Sequence, residues 1–157
     1  MQTIFRIRRL AQWYNRHRRD GHSEHEIRTF LIVPLLVALG WSEQRIKIKW
    51  RHTDIVLFGR PYERGAKPDV IVESKRIHEG LKGAQGQVRR YAKEFPDCGR
   101  LVVSDGLRYY LYERQGRDWA FETDLAAYMN LLKLKARHPY LANVGGALEL
   151  CGKQRSS

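Results

Sequence analysis

The sequence predicts a single α/β domain in which helices flank a central mixed β-sheet. The chain has 157 residues, of which 43% are hydrophobic, and this length is enough for one domain with a buried core. Amphipathic helical patterns alternate with short apolar runs of strand length. The predicted order is α-α-β-β-β-α-β-β-α, with no internal repeat and no interdomain linker, which is typical of an α/β architecture.

Two helices are predicted before the first strand. Apolar residues recur at helical spacing over residues 3–19, most arginines lie off that stripe, and Gly21 ends the helix. Ser23 then begins an S-x-x-E capping box, which starts the second helix. We expect Pro34 to kink this helix and Gly40 to end it.

Three strands follow. The segment RIKIKWR, residues 45–51, alternates basic and apolar side chains and predicts a half-exposed strand. TDIVLF, residues 53–58, is apolar on both faces, as in the centre of a sheet. DVIVESK, residues 69–75, is a third apolar run and predicts another strand, although it contains an aspartate, a glutamate and a lysine.

The second half of the chain predicts a helix, a β-hairpin and a final helix. Residues 80–95 form the helix, which Pro96 stops, and RLVVSD and RYYLYER form the hairpin around an Asp-Gly turn. Residues 124–137 are predicted to be helical. The single domain, residues 1–157, thus comprises a basic N-terminal helix over residues 1–20, a core over residues 23–114, and a C-terminal helix and tail over residues 121–157.

The charge of the chain predicts a polyanionic partner. There are 29 Lys and Arg residues against 17 Asp and Glu, a formal net charge of +12. The first twenty residues contain six arginines and one acidic residue. We favour DNA over an anionic membrane, because the apolar stripe of the first helix is needed for packing. The predicted DNA-contacting residues are Arg6, Arg9, Arg16, Arg18, Lys47, Lys49 and Arg76.

No membrane span is expected, because no window holds about 18 apolar residues. The two cysteines, Cys98 and Cys151, form no CxxC motif, and such isolated thiols are typical of a reducing compartment. We therefore expect a cytoplasmic protein.

The strand DVIVESK contains a candidate catalytic pair. Side chains alternate along a strand, so Glu73 and Lys75 share a face, roughly 6–7 Å apart, and both could reach one phosphate group. A carboxylate there can bind Mg²⁺, and a lysine can orient a water and offset phosphate charge. Alternatively, the two residues form a solvated pair at a strand end, but the apolar run before them favours catalysis.

A second metal-binding carboxylate is expected from a neighbouring strand. Asp69 lies roughly 13 Å from Glu73 along the same strand, too far to share an ion whose ligands lie at about 2.1 Å. Asp54 belongs to the preceding strand, and adjacent strands lie about 4.8 Å apart. We therefore predict Asp54 as the partner of Glu73, unless it is only a turn residue. Asp69 is interpreted as structural and kept as a reserve ligand.

These residues resemble the PD-(D/E)xK nuclease superfamily. The wider order resembles the N-terminal nuclease domain of type I restriction-enzyme R subunits, over about residues 23–113; its segments here are SEHEIRTFLIVPLLVALGW, TDIVLF, AKPDVIVESKR, QVRRYA and VVSDGLRYYLYE. The resemblance implies a restriction-endonuclease-like core that cuts DNA phosphodiesters with Mg²⁺, or Mn²⁺ as a substitute. It also implies a role in restriction or other defence against foreign DNA.

The resemblance also implies residue roles. Asp54 and Glu73 would be the metal ligands and Lys75 the catalytic lysine. Gln87 and Tyr91 would be the Q-x-x-x-Y pair after the catalytic strand, and Glu24 the acidic residue of the first core helix. Two simpler interpretations stay open: Glu24 as a helix-start residue, favourable for the helix dipole, and Tyr91 as a core residue.

The rival function is a non-catalytic nucleic-acid-binding module of the same fold, acting as a subunit of a larger complex. R subunits carry a helicase motor after the nuclease domain, and this sequence has no P-loop. Motor-driven cleavage is therefore not expected of this sequence alone, and three interpretations stay open: a fragment of a longer protein, a stand-alone relative, or a subunit of a larger assembly. Double-strand cleavage would need two active sites, for which a homodimer is one solution.

Overall fold

A computed structural model describes residues 2–77, 85–114 and 125–134. The chain begins with the long helix α1 (Gln2–His17). A second helical segment consists of α2 (Glu24–Ile27), a π-helical turn (Arg28–Ile32) and α3 (Val33–Ala38). A 3₁₀ turn (Glu43–Arg45) precedes the sheet, and the remaining elements are β1 (Ile46–Ile48), β2 (Ile55–Leu57), β3 (Val70–Ser74), α4 (Gln85–Glu94), β4 (Arg100–Ser104), β5 (Arg108–Glu113) and β6 (Leu125–Asn130).

The strands form one mixed sheet of six strands in chain order, β1-β2-β3-β4-β5-β6. Only β3 and β4 pair in parallel; every other neighbouring pair is antiparallel. A parallel pair needs a crossover connection, and this one contains α4. The protein is therefore an α/β protein with a mixed sheet flanked by helices, which confirms the predicted class.

Helices cover both faces of the sheet. On one face Ile27, Leu31 and Leu35 of the second helical segment belong to a core cluster with Val72, and Ile7 of α1 joins them. On the other face α4 contributes a second cluster, in which Tyr91, Ala92 and Phe95 lie with Val56, Ile71 and Val103. Because side chains alternate along a strand, consecutive residues of β3 meet different helical layers.

The second helical segment departs from regular geometry just before Pro34. A π-helical turn spans Arg28–Ile32, and Pro34 lies in the first turn of α3. Proline has no N–H, so the carbonyl of Phe30 cannot receive its usual helical hydrogen bond. The sequence predicted a kink at Pro34 itself, whereas in the structure the irregular turn, Arg28–Ile32, ends two residues before the proline.

The prediction of a helix over residues 124–137 is wrong where the structure describes it. Leu125–Asn130 is strand β6, which pairs antiparallel with β5 and brings Tyr128 opposite Tyr110. Leu, Ala and Met favour helix by propensity. Pairing with the open edge of β5, however, satisfies backbone hydrogen bonds and buries apolar side chains of this segment. Ala127 and Met129 are fully buried against that face, so tertiary pairing overrides local preference.

Within the described ranges, no helix combines the length and apolarity needed to cross a membrane.

Gly106 closes the β4–β5 hairpin with a positive φ of 87°. A Cβ there would lie 2.7 Å from Ile27 Cγ2 and 2.9 Å from Leu31 Cδ1. We expect Gly106→Ala to lower the free energy of unfolding by about 1–3 kcal/mol, because it adds both strain and a clash. Urea denaturation measures this. Gly99→Ala, where nothing lies within 4 Å, is the control; equal losses in both variants would contradict the argument.

Candidate active site

Two buried carboxylates lie on neighbouring strands, at the positions where β2 begins and β3 ends. Ile55 pairs with Val72, so extending the antiparallel register by one residue places Asp54 opposite Glu73. Asp54 lies one residue outside β2, because the strand is shorter than predicted. The residues are 6% and 5% exposed, respectively. The two residues predicted as a pair are therefore neighbours across the strands, close enough for the charge of Asp54 to raise the pKa of Glu73.

Four donor contacts surround the Asp54 carboxylate. Its Oδ2 accepts hydrogen bonds from the backbone N–H and the hydroxyl of Ser74, both at 2.9 Å. Its Oδ1 lies 2.7 Å from Lys49 Nζ and 3.4 Å from Arg28 Nη1. Burial raises the pKa of Asp54, but the hydrogen bonds from Lys49 and Ser74 outweigh burial and hold the pKa below its usual value. Asp54 is therefore ionised at neutral pH.

Glu73 has fewer contacts and the opposite pKa shift. Its Oε2 accepts a 2.6 Å hydrogen bond from the Tyr91 hydroxyl, and its Oε1 lies 3.4 Å from Lys75 Nζ. Burial raises the pKa of Glu73, the nearby charge of Asp54 raises it further, and the contacts with Tyr91 and Lys75 only partly offset this. The surroundings therefore stabilise the ionised form of Asp54 and disfavour the ionised form of Glu73.

Arg28 connects this pair to the second helical segment. Its side chain is buried, and Nη1 donates to Ser74 Oγ at 3.0 Å as well as contacting Asp54. The same nitrogen lies 3.9 Å from Glu24 Oε2, so Glu24 reaches the corner through Arg28 rather than directly. Arg28 was not among the site residues predicted from the sequence. The available signal was its place beside Ile27 on the inward stripe, four residues after Glu24, where a side-chain pair is favoured.

Lys75 and Gln87 were also predicted as site residues, and Asp69 was kept as a reserve ligand. Lys75 lies one residue beyond β3, and its side chain is 13% exposed. Gln87 is half-buried on α4, one turn before Tyr91, so both residues share a face of the helix. Asp69 lies at the opposite end of β3, where it is exposed and its side chain fills the space beside Gly59. Asp69 is therefore not part of the carboxylate pair.

The residues predicted to contact DNA differ in their placement. Arg6, Arg9, Arg16, Arg18 and Arg76 are exposed. Lys47 lies over the Tyr62 ring, with its Nζ 4.5 Å from the ring centroid. Lys49 contacts the Asp54 carboxylate, so it belongs to the site itself and not only to a basic surface.

The donor set fits a hard divalent cation. Carboxylate oxygens are the protein ligands that Mg²⁺ prefers, and Mg²⁺ retains several waters when it binds one or two carboxylates. The pKa of Glu73 is raised by its burial and by the charge of Asp54, and a cation shared by both would relieve that repulsion. Asp54 and Glu73 would be the ligands. The described residues contain no cluster of three or more His, Cys, Asp or Glu that could hold a metal.

Comparisons with protein-family models, with curated proteins and with solved structures found no match for this chain.

Tyr91→Phe removes the hydroxyl that donates to Glu73 Oε2. That hydrogen bond stabilises the ionised carboxylate, so we expect the pKa of Glu73 to rise above its value in the unmodified protein. NMR titration, which follows the chemical shift of the Glu73 side-chain carboxyl carbon against pH, measures this pKa. Tyr109→Phe is the matched control, since its buried hydroxyl donates to the Gly106 carbonyl. An unchanged pKa in Tyr91→Phe would contradict the assigned contact.

Neutralising each carboxylate should have opposite effects on stability at pH 7. The lowered pKa of Asp54 means that its charge stabilises the fold above its unfolded pKa, and that this contribution is lost as the pH falls. The raised pKa of Glu73 means that stability is lost as the pH rises through its folded value. We expect Asp54→Asn to destabilise by about 3 kcal/mol, because it leaves the buried guanidinium of Arg28 without an opposite charge. Glu73→Gln should stabilise the fold, because it removes the charge that burial and Asp54 disfavour.

Chemical denaturation of both variants at pH 4 and pH 7 tests these signs. The advantage of Glu73→Gln should be larger at pH 7 than at pH 4, which lies below the unfolded pKa of a glutamate. A Glu73→Gln protein less stable than Asp54→Asn at pH 7 would contradict the assignment.

Proposed function

We propose that this protein is a metal-dependent endodeoxyribonuclease of the PD-(D/E)xK type, which hydrolyses DNA phosphodiester bonds. The observation that supports the proposal is that buried Asp54 and Glu73 lie on neighbouring strands, with Lys75 Nζ 3.4 Å from Glu73 Oε1. The proposal includes a restriction-endonuclease-like core, similar to the nuclease domain of type I restriction-enzyme R subunits. A role in restriction or other defence against foreign DNA follows from that resemblance.

Each residue of the corner has a chemical role in this proposal. Asp54 and Glu73 hold Mg²⁺, with Mn²⁺ as a substitute; when bound, the ion supplies Lewis-acid stabilisation of the phosphate and a more acidic water. Lys75 orients the attacking water and offsets charge on the phosphate. Tyr91 is a positioning residue, since it acts through its hydrogen bond to Glu73. Gln87, on the same helix face, orients the lysine or the DNA strand.

The surrounding residues support DNA as the substrate. The chain has a formal net charge of +12, and the arginines of α1 that were predicted to contact DNA are exposed. Such residues bind the phosphate backbone through charge and carry no sequence information. Glu24 acts indirectly, because Arg28 lies between it and Asp54. Cleavage of both strands would need a second site, from a homodimer or from a larger assembly with a motor subunit.

A second candidate is a DNA-binding module of the same fold that performs no cleavage. The observation that favours it is the Lys49 ammonium 2.7 Å from Asp54 Oδ1, which already neutralises one of the two carboxylates. This module would bind DNA in a salt-sensitive manner, and Mg²⁺ would not change its affinity.

Cleavage of supercoiled plasmid with Mg²⁺ or Mn²⁺, beside an EDTA reaction, tests the nuclease. We expect Glu73→Gln and Lys75→Ala to lower the rate at least about 100-fold, since each removes charge that acts on the phosphate or its metal. Asp69→Asn is the matched control, because it neutralises a carboxylate one residue before the same strand, at the end away from the site.

The outcomes separate the two candidates. Metal-dependent nicking that Asp69→Asn retains and Lys75→Ala loses would support the nuclease. Full cleavage by Glu73→Gln would contradict it. Absence of cleavage together with metal-independent DNA binding would favour the binding module.

A further inference from the structure

The hairpin between β1 and β2 places Lys49 in contact with Asp54, one of the two proposed metal ligands. The backbone N–H of Lys49 donates to the Asp54 carbonyl at 2.8 Å, and the N–H of Thr53 donates to the Trp50 carbonyl at 3.0 Å. The side chains of Lys49 and Asp54 are also in contact, with Lys49 Nζ 2.7 Å from Asp54 Oδ1. Backbone and side chain together therefore direct this ammonium group to one carboxylate oxygen.

Three residues of this hairpin have an unfavourable backbone conformation. Lys49, Arg51 and His52 have φ values of 54°, 46° and 64°, in the left-handed region that residues with a Cβ rarely adopt. Neighbouring residues hold this conformation in place. The Trp50 ring packs on Phe58 and Phe95, with ring centroids 5.6 and 5.7 Å apart, and Arg90 of α4 donates to the His52 carbonyl at 3.2 Å.

The two cations at Asp54 Oδ1 differ in their freedom to leave. The Arg28 side chain is 8% exposed and is also held by the Ser74 hydroxyl. The Lys49 side chain is 60% exposed, so its ammonium can turn into water without breaking a packed core. An ion pair with one exposed, flexible partner is weak, whereas a buried charge that loses its partner is unfavourable. Of the two cations at Asp54, Lys49 is therefore the one that an incoming divalent cation can displace.

We propose that Lys49 is a displaceable counter-ion that holds Asp54 Oδ1 in the metal-free protein and sets the affinity of the site for a divalent cation. This inference rests on the proposed function, since it takes Asp54 and Glu73 as the ligands. In the metal-free protein, Lys49 keeps a buried carboxylate ionised and oriented. Divalent cation binding then requires Lys49 to leave, so affinity is lower than the two carboxylates alone would give.

Mn²⁺ binding to the full chain without DNA, followed through the electron paramagnetic resonance signal of the free ion, tests the proposal. Lys49→Met keeps the length of the side chain and removes the competing charge. We expect it to tighten Mn²⁺ binding about three- to tenfold, as suits an ion pair with one exposed partner. Lys49→Gln is a second variant with the same expected direction.

The control is Lys47→Met, which removes the same charge two residues earlier, where the ammonium lies over the Tyr62 ring. We expect its Mn²⁺ affinity to match that of the unmodified protein. Equal tightening in Lys47→Met would overturn the proposal by showing a general charge effect. Weaker or unchanged binding in both Lys49 variants would also overturn it.

Glu73→Gln separates this inference from the proposed function. If Mn²⁺ binds, Glu73→Gln abolishes the binding and the Lys49 variants have no effect, the metal site stands and the role of Lys49 is wrong. If none of these proteins binds Mn²⁺, both the metal site and the counter-ion are overturned.

Discussion

The Asp54 carboxylate is the group on which the candidate site depends. A buried carboxylate is unfavourable unless hydrogen bonds and opposite charges compensate for the water it has lost. The compensating donors come from three different parts of the chain: Ser74 at the end of β3, Arg28 in the second helical segment, and Lys49 in the β1–β2 hairpin. The environment of Asp54 is therefore assembled from the helices, the strand and the hairpin together.

Adjacent residues of β3 connect this corner to both helical layers. Glu73 and Ser74 point to opposite faces, because side chains alternate along a strand. Glu73 accepts its hydrogen bond from Tyr91 of α4, whereas the Ser74 hydroxyl accepts from Arg28 on the other side of the sheet. The parallel pairing of β3 and β4 is what brings α4 across the sheet by a crossover connection. The site therefore depends on the topology of the sheet as much as on its residues.

The two carboxylates differ in what they do for stability. The lowered pKa of Asp54 reflects donors that outweigh its burial, so its charge contributes to folding. The raised pKa of Glu73 reflects burial and a neighbouring negative charge that its partners do not offset. Functional sites often retain such unfavourable groups, and the rest of the fold compensates for them. In the proposed nuclease, a bound cation would relieve the cost at Glu73.

The sequence by itself determined the α/β class, the central strands and the alternation that puts Glu73 and Lys75 on one face. Strand spacing also favoured Asp54 over Asp69, and the structure places them accordingly. Periodicity and the spacing of strands are local or generic properties, so a sequence can show them. Only the tertiary structure decided that residues 125–130 form a strand, because the open edge of β5 overrides their helical propensity. It also decided that Arg28 and Lys49 converge on Asp54, since contacts between distant segments depend on which faces pack together.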